Sequence, residues 1–208
     1  MLENILNNKL ASNEDAITST IIGLLKYLPA DLFWHILRQA CGNNKLPPIS
    51  GTLKQTEFWP KWNAAGTSNS KYVEPDVFLR FDSFDLIIEV KSSDEGGQYA
   101  QQWENQIKAY TNEYEKQELV YITLGGNAVK INQEIEVDDK KYAITKCSWM
   151  SLLMETSATL QEFKKTEAPF SNKASTIRLL EDVIRGFNYH GFFNIKWFEG
   201  MKMYTIEL

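Results

Sequence analysis

Asp76, Glu89 and Lys91 are the residues whose types and spacing suit chemistry on a charged substrate. Successive side chains of a strand alternate faces, so Glu89 and Lys91 project together while Val90 points into the opposite packing. Pro75-Asp76 opens the preceding strand, and a tight hairpin between the two strands brings Asp76 near the end that bears Glu89. Two carboxylates then meet beside one ammonium. Like charges about 4 Å apart repel by roughly 1 kcal/mol in water and about 4 at the effective dielectric of a protein surface, and Lys91 offsets only part of this. A divalent cation resolves it. Hard oxygen ligands with room for several waters suit Mg²⁺ or Mn²⁺ rather than zinc. Such an ion withdraws charge from a phosphate ester and lowers the pKa of a bound water, while Lys91 positions that water or screens developing charge.

Two helical features point toward the same place. Gln106 and Tyr110 are one turn apart and share a helix face. Glu14 stands in the first turn of an earlier helix, on the side of an apolar stripe formed by Ile17, Ile21, Leu24, Leu25 and Leu28. Its carboxylate either faces the mouth of the site or is an acid placed favourably against the helix dipole.

The elements that must position these groups follow from pattern and punctuation. Ser12 or Asn13 caps the first helix, which ends before Pro29, and a second short helix covers 31–41 and stops at Gly42. After Pro47-Pro48, residues 52–59 alternate like a strand, and the polar stretch 63–71 reads as a mobile loop. Strands over 73–81 and 84–91 are separated only by Asp82-Ser83 and should pair antiparallel. From Gly97 the pattern turns helical, with Trp103, Gln106, Ile107, Tyr110 and Tyr114 on one face. A central strand over 119–124 closes on Gly125-Gly126-Asn127. Beyond it lie a weaker strand region over 130–145, a helix over about 148–163, a linker with Pro169, and a helix over about 173–188. With no internal repeat and no boundary signal, 1–208 is expected to be a single domain, its core spanning about 12–125 and a C-terminal extension about 126–208.

Taken in order, Pro75-Asp76, Glu89-Val90-Lys91 and Gln106-Ile107-Lys108-Ala109-Tyr110 resemble the PD-(D/E)XK nuclease superfamily, and within it the RecB-like group, whose third motif is a Gln-x-x-x-Tyr helix. The likeness runs from Glu14 to about Leu124. It implies an α/β fold with a restriction-endonuclease-like core, α-β-β-β-α-β, in which helices flank a mixed central sheet, with C-terminal helical additions. It implies a Mg²⁺- or Mn²⁺-dependent nuclease acting on DNA, in defence against foreign DNA or in repair. By the same resemblance Asp76, Glu89 and Val90 hold the metal, Lys91 assists the attacking water, Gln106 and Tyr110 serve the substrate, Gln106 also arranges the site, and Glu14 completes it. RNA stays open as substrate, because the metal chemistry acts on phosphates common to both.

Composition sets limits on that reading. Lys and Arg number 22 against 27 Asp and Glu, a net charge of -5, so the whole molecule repels a polyanion and nucleic acid would need a local basic groove. The acidic balance supports the alternative of a nuclease-fold subunit that does not cut but binds a protein partner or nucleic acid, and a homodimer is a further option. No apolar run nears the roughly 18–20 residues of a membrane helix, and the start lacks a signal-peptide pattern, so a cytoplasmic protein without membrane contact is expected. Cys41 and Cys147 lack CxxC partners and read as reduced small hydrophobes, which excludes the four-cysteine iron–sulfur cluster of some RecB-like enzymes. His35 and His190 have no metal-spaced partner, and the Gly-Gly pairs lack the Lys-Ser/Thr of a phosphate loop. Trp59, Trp62 and Trp103, near Lys54, Lys61 and Lys71, read either as core packing or as rings that stack on unpaired bases.

Overall fold

Residues 13–42, 45–114, 118–127, 131–166 and 172–194 are described by the computed structural model. Along them run α1 (Asn13–Leu25), α2 (Ala30–Cys41), β1 (Leu53–Phe58), β2 (Trp62–Asn63), β3 (Tyr72–Val73), β4 (Val77–Phe81), β5 (Asp85–Val90), α3 (Ala100–Glu113), β6 (Leu119–Leu124), β7 (Gln133–Val137), β8 (Lys140–Cys147), α4 (Trp149–Lys165) and α5 (Lys173–Tyr189). Ser12, Lys130 and Pro169, expected as a cap, a strand start and a linker residue, lie outside the described residues.

Apolar side chains on both faces of β4, β5 and β6 make these the buried centre of a six-stranded sheet in the order β1-β4-β5-β6-β8-β7. β4 is antiparallel to β1 and β5, β6 is parallel to β5 and β8, and β7 closes the edge antiparallel to β8. The fold is therefore α/β, with a mixed central sheet flanked by helices. On one face Val77, Leu79, Leu86, Ile88, Val90, Ile122 and Leu124 pack against α1, α2, α4 and α5. On the other face Phe78, Ile87 and Tyr121 meet Trp103, Ile107 and Tyr110 of α3. The period of two assigns each β5 residue to a face, and Asp85 and Glu89 fall on the α3 side with Ile87.

The chain beyond residue 126 continues the same architecture. β8 lies beside β6, and Trp149, Leu152, Leu153 and Leu160 of α4 with Leu180, Val183 and Phe187 of α5 belong to the main core. β7 and β8 are joined by Asp138-Asp139, both at positive φ (51° and 61°), the conformation a two-residue hairpin requires. No helix among the described residues is long and apolar enough to cross a membrane.

One expectation needs correction and another gains a structural setting. The strand expected over 73–81 is broken at Glu74-Pro75-Asp76: β3 pairs with β2 in a separate ribbon, and only β4 enters the sheet. Pro75 has no N–H to give to a ladder, so the chain leaves one ribbon and joins another there. The loop expected to be mobile is fastened to α3. Asn105 Oδ1 accepts from Ser68 N (3.1 Å) and its Nδ2 donates to Ser68 Oγ (2.7 Å), Asn112 Nδ2 donates to Ala65 O (2.8 Å), and Glu113 Oε1 accepts from Asn63 N (2.6 Å). These polar side chains of α3 satisfy backbone groups of the loop and of the end of β2.

Candidate active site

β5 carries two acids on one face, and α3 lies over that face running in the opposite direction. The N-terminal side chains of α3 consequently reach Glu89, while those near its C-terminal end reach Asp85. Glu89 is 1 % exposed, and both of its oxygens accept hydrogen bonds. Its Oε1 accepts from Lys91 Nζ (2.8 Å) and from Gln102 Nε2 (2.6 Å), and its Oε2 accepts from Gln106 Nε2 (2.6 Å). Gln106 is oriented from behind, because the buried Tyr121 hydroxyl donates to its Oε1 and leaves the amide nitrogen facing Glu89.

Asp76 comes from the break before β4. Its Oδ2 accepts from Val90 N (2.8 Å), which locks the acid to the end of β5. Burial raises the Asp76 carboxyl well above its ordinary range, and the negative charge of Glu89 adds to the effect, against the Val90 hydrogen bond and the Lys91 charge. Lys91 donates to Val90 O (2.8 Å) as well as to Glu89, and lies 3.5 Å from Glu14 Oε1. Burial works against its charge, but Glu89, Glu14 and Asp76 outweigh burial and hold the ammonium above its usual range. Half-burial likewise raises Glu14, with Lys91 opposing. Asp76, Glu89, Lys91, the Val90 main chain, Gln106 and Glu14 thus converge at the carboxyl end of β5, where helices of both layers meet.

Tyr110 does not join them. Its hydroxyl donates to Asp85 Oδ2 (2.8 Å), and Asp85, fully buried, is also gripped by Arg80 through Nε (2.9 Å) and a terminal nitrogen (2.7 Å). Tyr110, expected at the substrate, is placed on Asp85 and apart from the Glu89 cluster. A side chain one helical turn from Gln106 meets a second acid four residues back along β5, and burial with the Asp85 bond holds its phenol protonated.

Several residues of the site carried no expectation. Gln102 shares Glu89 Oε1 with Lys91, and Gln98 Nε2 donates to Glu89 O and Gly125 O (both 3.2 Å). The available signal for Gln102 was its spacing from Gln106, four residues along one helical stripe, whereas Gln98 precedes the N-cap of α3 and had none. Trp149 Nε1 donates to Lys91 O (2.7 Å), and Asp94 caps α4 by accepting from Trp149 N (2.7 Å) and Met150 N (3.2 Å). Trp59, Trp62 and Trp103 are all buried and pack in the core rather than stack on bases. Cys41 and Cys147 are free thiols that line one cavity. The hydrogen bond with Cys41, together with burial, pushes the Cys147 thiol up.

Gly125 lets the backbone close against Lys91. It has φ +75°, and a Cβ there would lie 2.4 Å from Lys91 O, 2.7 Å from Ser93 O and 2.8 Å from Trp149 Nε1. Gly125→Ala should destabilise the protein by about 2–5 kcal/mol, combining a left-handed penalty of about 1–2 with overpacking of about 1–3. A urea midpoint within error of the parent would contradict this packing.

As to a metal, no group of three His, Cys, Asp or Glu side chains among the described residues is placed to hold one by itself. Asp76 and Glu89 instead offer two hard oxygens beside the Val90 carbonyl, a donor set that fits an ion retaining several waters, such as Mg²⁺ or Mn²⁺, and not one that needs a complete protein cage. The chain matches no protein-family model, no curated protein and no solved structure.

Proposed function

We propose that this chain is a metal-dependent phosphodiesterase of the PD-(D/E)XK type, cutting DNA, with a restriction-endonuclease-like core. The observation that carries the reading is the meeting of Asp76, Glu89 and Lys91 at one strand end, fastened by the Asp76–Val90 and Lys91–Glu89 hydrogen bonds. The strand order supports it: β1, β4 and β5 form the antiparallel run, α3 crosses over, and β6 returns parallel to β5. Asp76, Glu89 and the Val90 carbonyl would hold Mg²⁺ or Mn²⁺. Bound there, the ion supplies Lewis-acid polarisation of a phosphate oxygen and a more acidic water. Lys91 keeps its charge and offers its ammonium to the attacking water or to the phosphate as negative charge develops. Gln102 and Gln106 fix the Glu89 carboxylate, so its orientation is set before a substrate arrives.

The test is incubation with linear, circular and single-stranded DNA and with RNA, in Mg²⁺, Mn²⁺ or EDTA, beside Lys91→Ala and Glu89→Gln. Cutting should require the metal and fall about 100- to 1,000-fold in each variant. Cutting that survives in both would place the chemistry elsewhere. The net charge of -5 favours a second reading, a nuclease-fold subunit that docks a protein partner and does not cut. Metal-dependent thermal stabilisation without cleavage of any substrate would select it.

A further inference from the structure

Beside the carboxylate cluster lies a cavity of about 370 Å³, within the range that takes small ligands. Gln102 and Gln106 form its inner wall and also hydrogen-bond to Glu89, so whatever fills the cavity sits one side chain away from the proposed metal position. Its chemistry is unlike that of a phosphate site. Among the described residues carboxamides dominate the lining and no Lys, Arg or His contributes, and the Glu74 carboxylate would repel an anion. Amides donate and accept in one plane, which matches the edge of a neutral heterocycle.

Two features prepare the cavity for such a group. Asn105 is buried and bonded to Ser68 and Asn69 across the cleft, so the wall formed by the 68–73 segment is braced against α3. Gln101 is steadied by Glu104 (3.2 Å) and Asn105 (3.4 Å). At the lining stands Tyr99, 66 % exposed at the N-cap of α3 and, among the described residues, outside both apolar clusters. A ring so placed offers a face for stacking, while the amides behind it meet polar edges.

From this juxtaposition we infer that the cavity receives one unpaired nucleobase of a single-stranded segment next to the scissile phosphate, stacked on Tyr99 and met at its edge by Gln101, with Asn105 bracing the wall behind. The inference rests on the phosphodiesterase reading and adds the substrate class: a base enters only when it is free of a duplex. Tyr99 and Gln101 are binding residues; the carboxylates and Lys91 act on the phosphate.

The test uses the full chain in EDTA, where binding is read without cleavage. Fluorescence anisotropy compares a labelled oligothymidylate with an abasic strand of the same length and with a blunt duplex. The oligothymidylate should bind about tenfold more tightly than the abasic strand, the effect of one stacked base. Tyr99→Ala and Gln101→Ala, both on exposed positions, should erase that preference and leave the affinity for the abasic strand unchanged. Equal affinity for the two strands, or none for either, overturns the inference, and so does a loss in Tyr99→Ala that is the same for both. If DNA is cut in Mg²⁺ while the base preference is missing, the cavity assignment fails and the phosphodiesterase reading stands. If the preference is present but nothing is cut, the reverse holds.

Discussion

Asp76→Asn should lower Mg²⁺-dependent cutting by about 100- to 1,000-fold and at the same time stabilise the metal-free protein at neutral pH. The two effects have one origin. Burial, then the charge of Glu89, raises the Asp76 carboxyl well above its ordinary value of 3.8. The folded protein therefore holds that proton more tightly than the unfolded chain. The associated stability is complete below the unfolded value and is lost as pH rises through the folded one. An asparagine has no such proton to lose, and its amide oxygen still accepts from Val90 N, the bond that Asp76 makes at 2.8 Å. Thermal unfolding in EDTA across the acid-to-neutral range should fall for the parent and stay flatter for the variant. With Mg²⁺ added the parent should gain stability above the folded value and release a proton on binding, an effect the variant lacks. A variant that melts lower than the parent at neutral pH in EDTA would mean that Asp76 is not a strained acid.

Arg80→Met tests the other acid of β5. Asp85 is fully buried and takes two hydrogen bonds from the Arg80 guanidinium and one from Tyr110. Removing the guanidinium leaves a buried charge with the tyrosine alone, a loss of about 3–5 kcal/mol. The Arg80 side chain is 27 % exposed, so water reaches the vacated place in part and the lower end of that range is expected. For a chain of this length the melting temperature should fall by roughly 6–12 °C for about 3 kcal/mol. Combining Arg80→Met with Asp85→Leu should recover most of the loss, because the pair is then replaced by apolar contact on a face already lined by Phe78 and Ile87. No recovery in the double variant would show that Arg80 stabilises through its stacking on Tyr114, 4.5 Å from the ring centroid, rather than through Asp85.

Local rules account for the side-chain pairs that depend on one element or one turn. Two-residue periodicity is enough to set Glu89 and Lys91 on a common face, and the two residues between the strands are enough to bring Asp76 toward them. The same reasoning locates the central strands and each helix within a few residues, because their apolar spacing is regular. Local rules could not separate Gln106 from Tyr110. They share a helix face, but α3 runs against β5, and so one reaches Glu89 and the other Asp85. Gln102 is an ordinary polar helix residue by pattern, and Gln98 a polar residue before the helix; both gain a role only because α3 lies over the end of β5. Tyr121 read as strand core, and its hydroxyl gains meaning only with Gln106 across from it. Glu14 had two readings that helix periodicity left equal; the position of α1 at the end of β5 brings it within 3.5 Å of Lys91. The residues after 126 had no counterpart in any motif, yet β8 extends the sheet and α4 caps the site through Asp94 and Trp149. Periodicity belongs to a single segment and is written in its residues, whereas a site made by several segments depends on their relative direction and register. Those are set by how the whole core packs, and they exist only once the chain has folded.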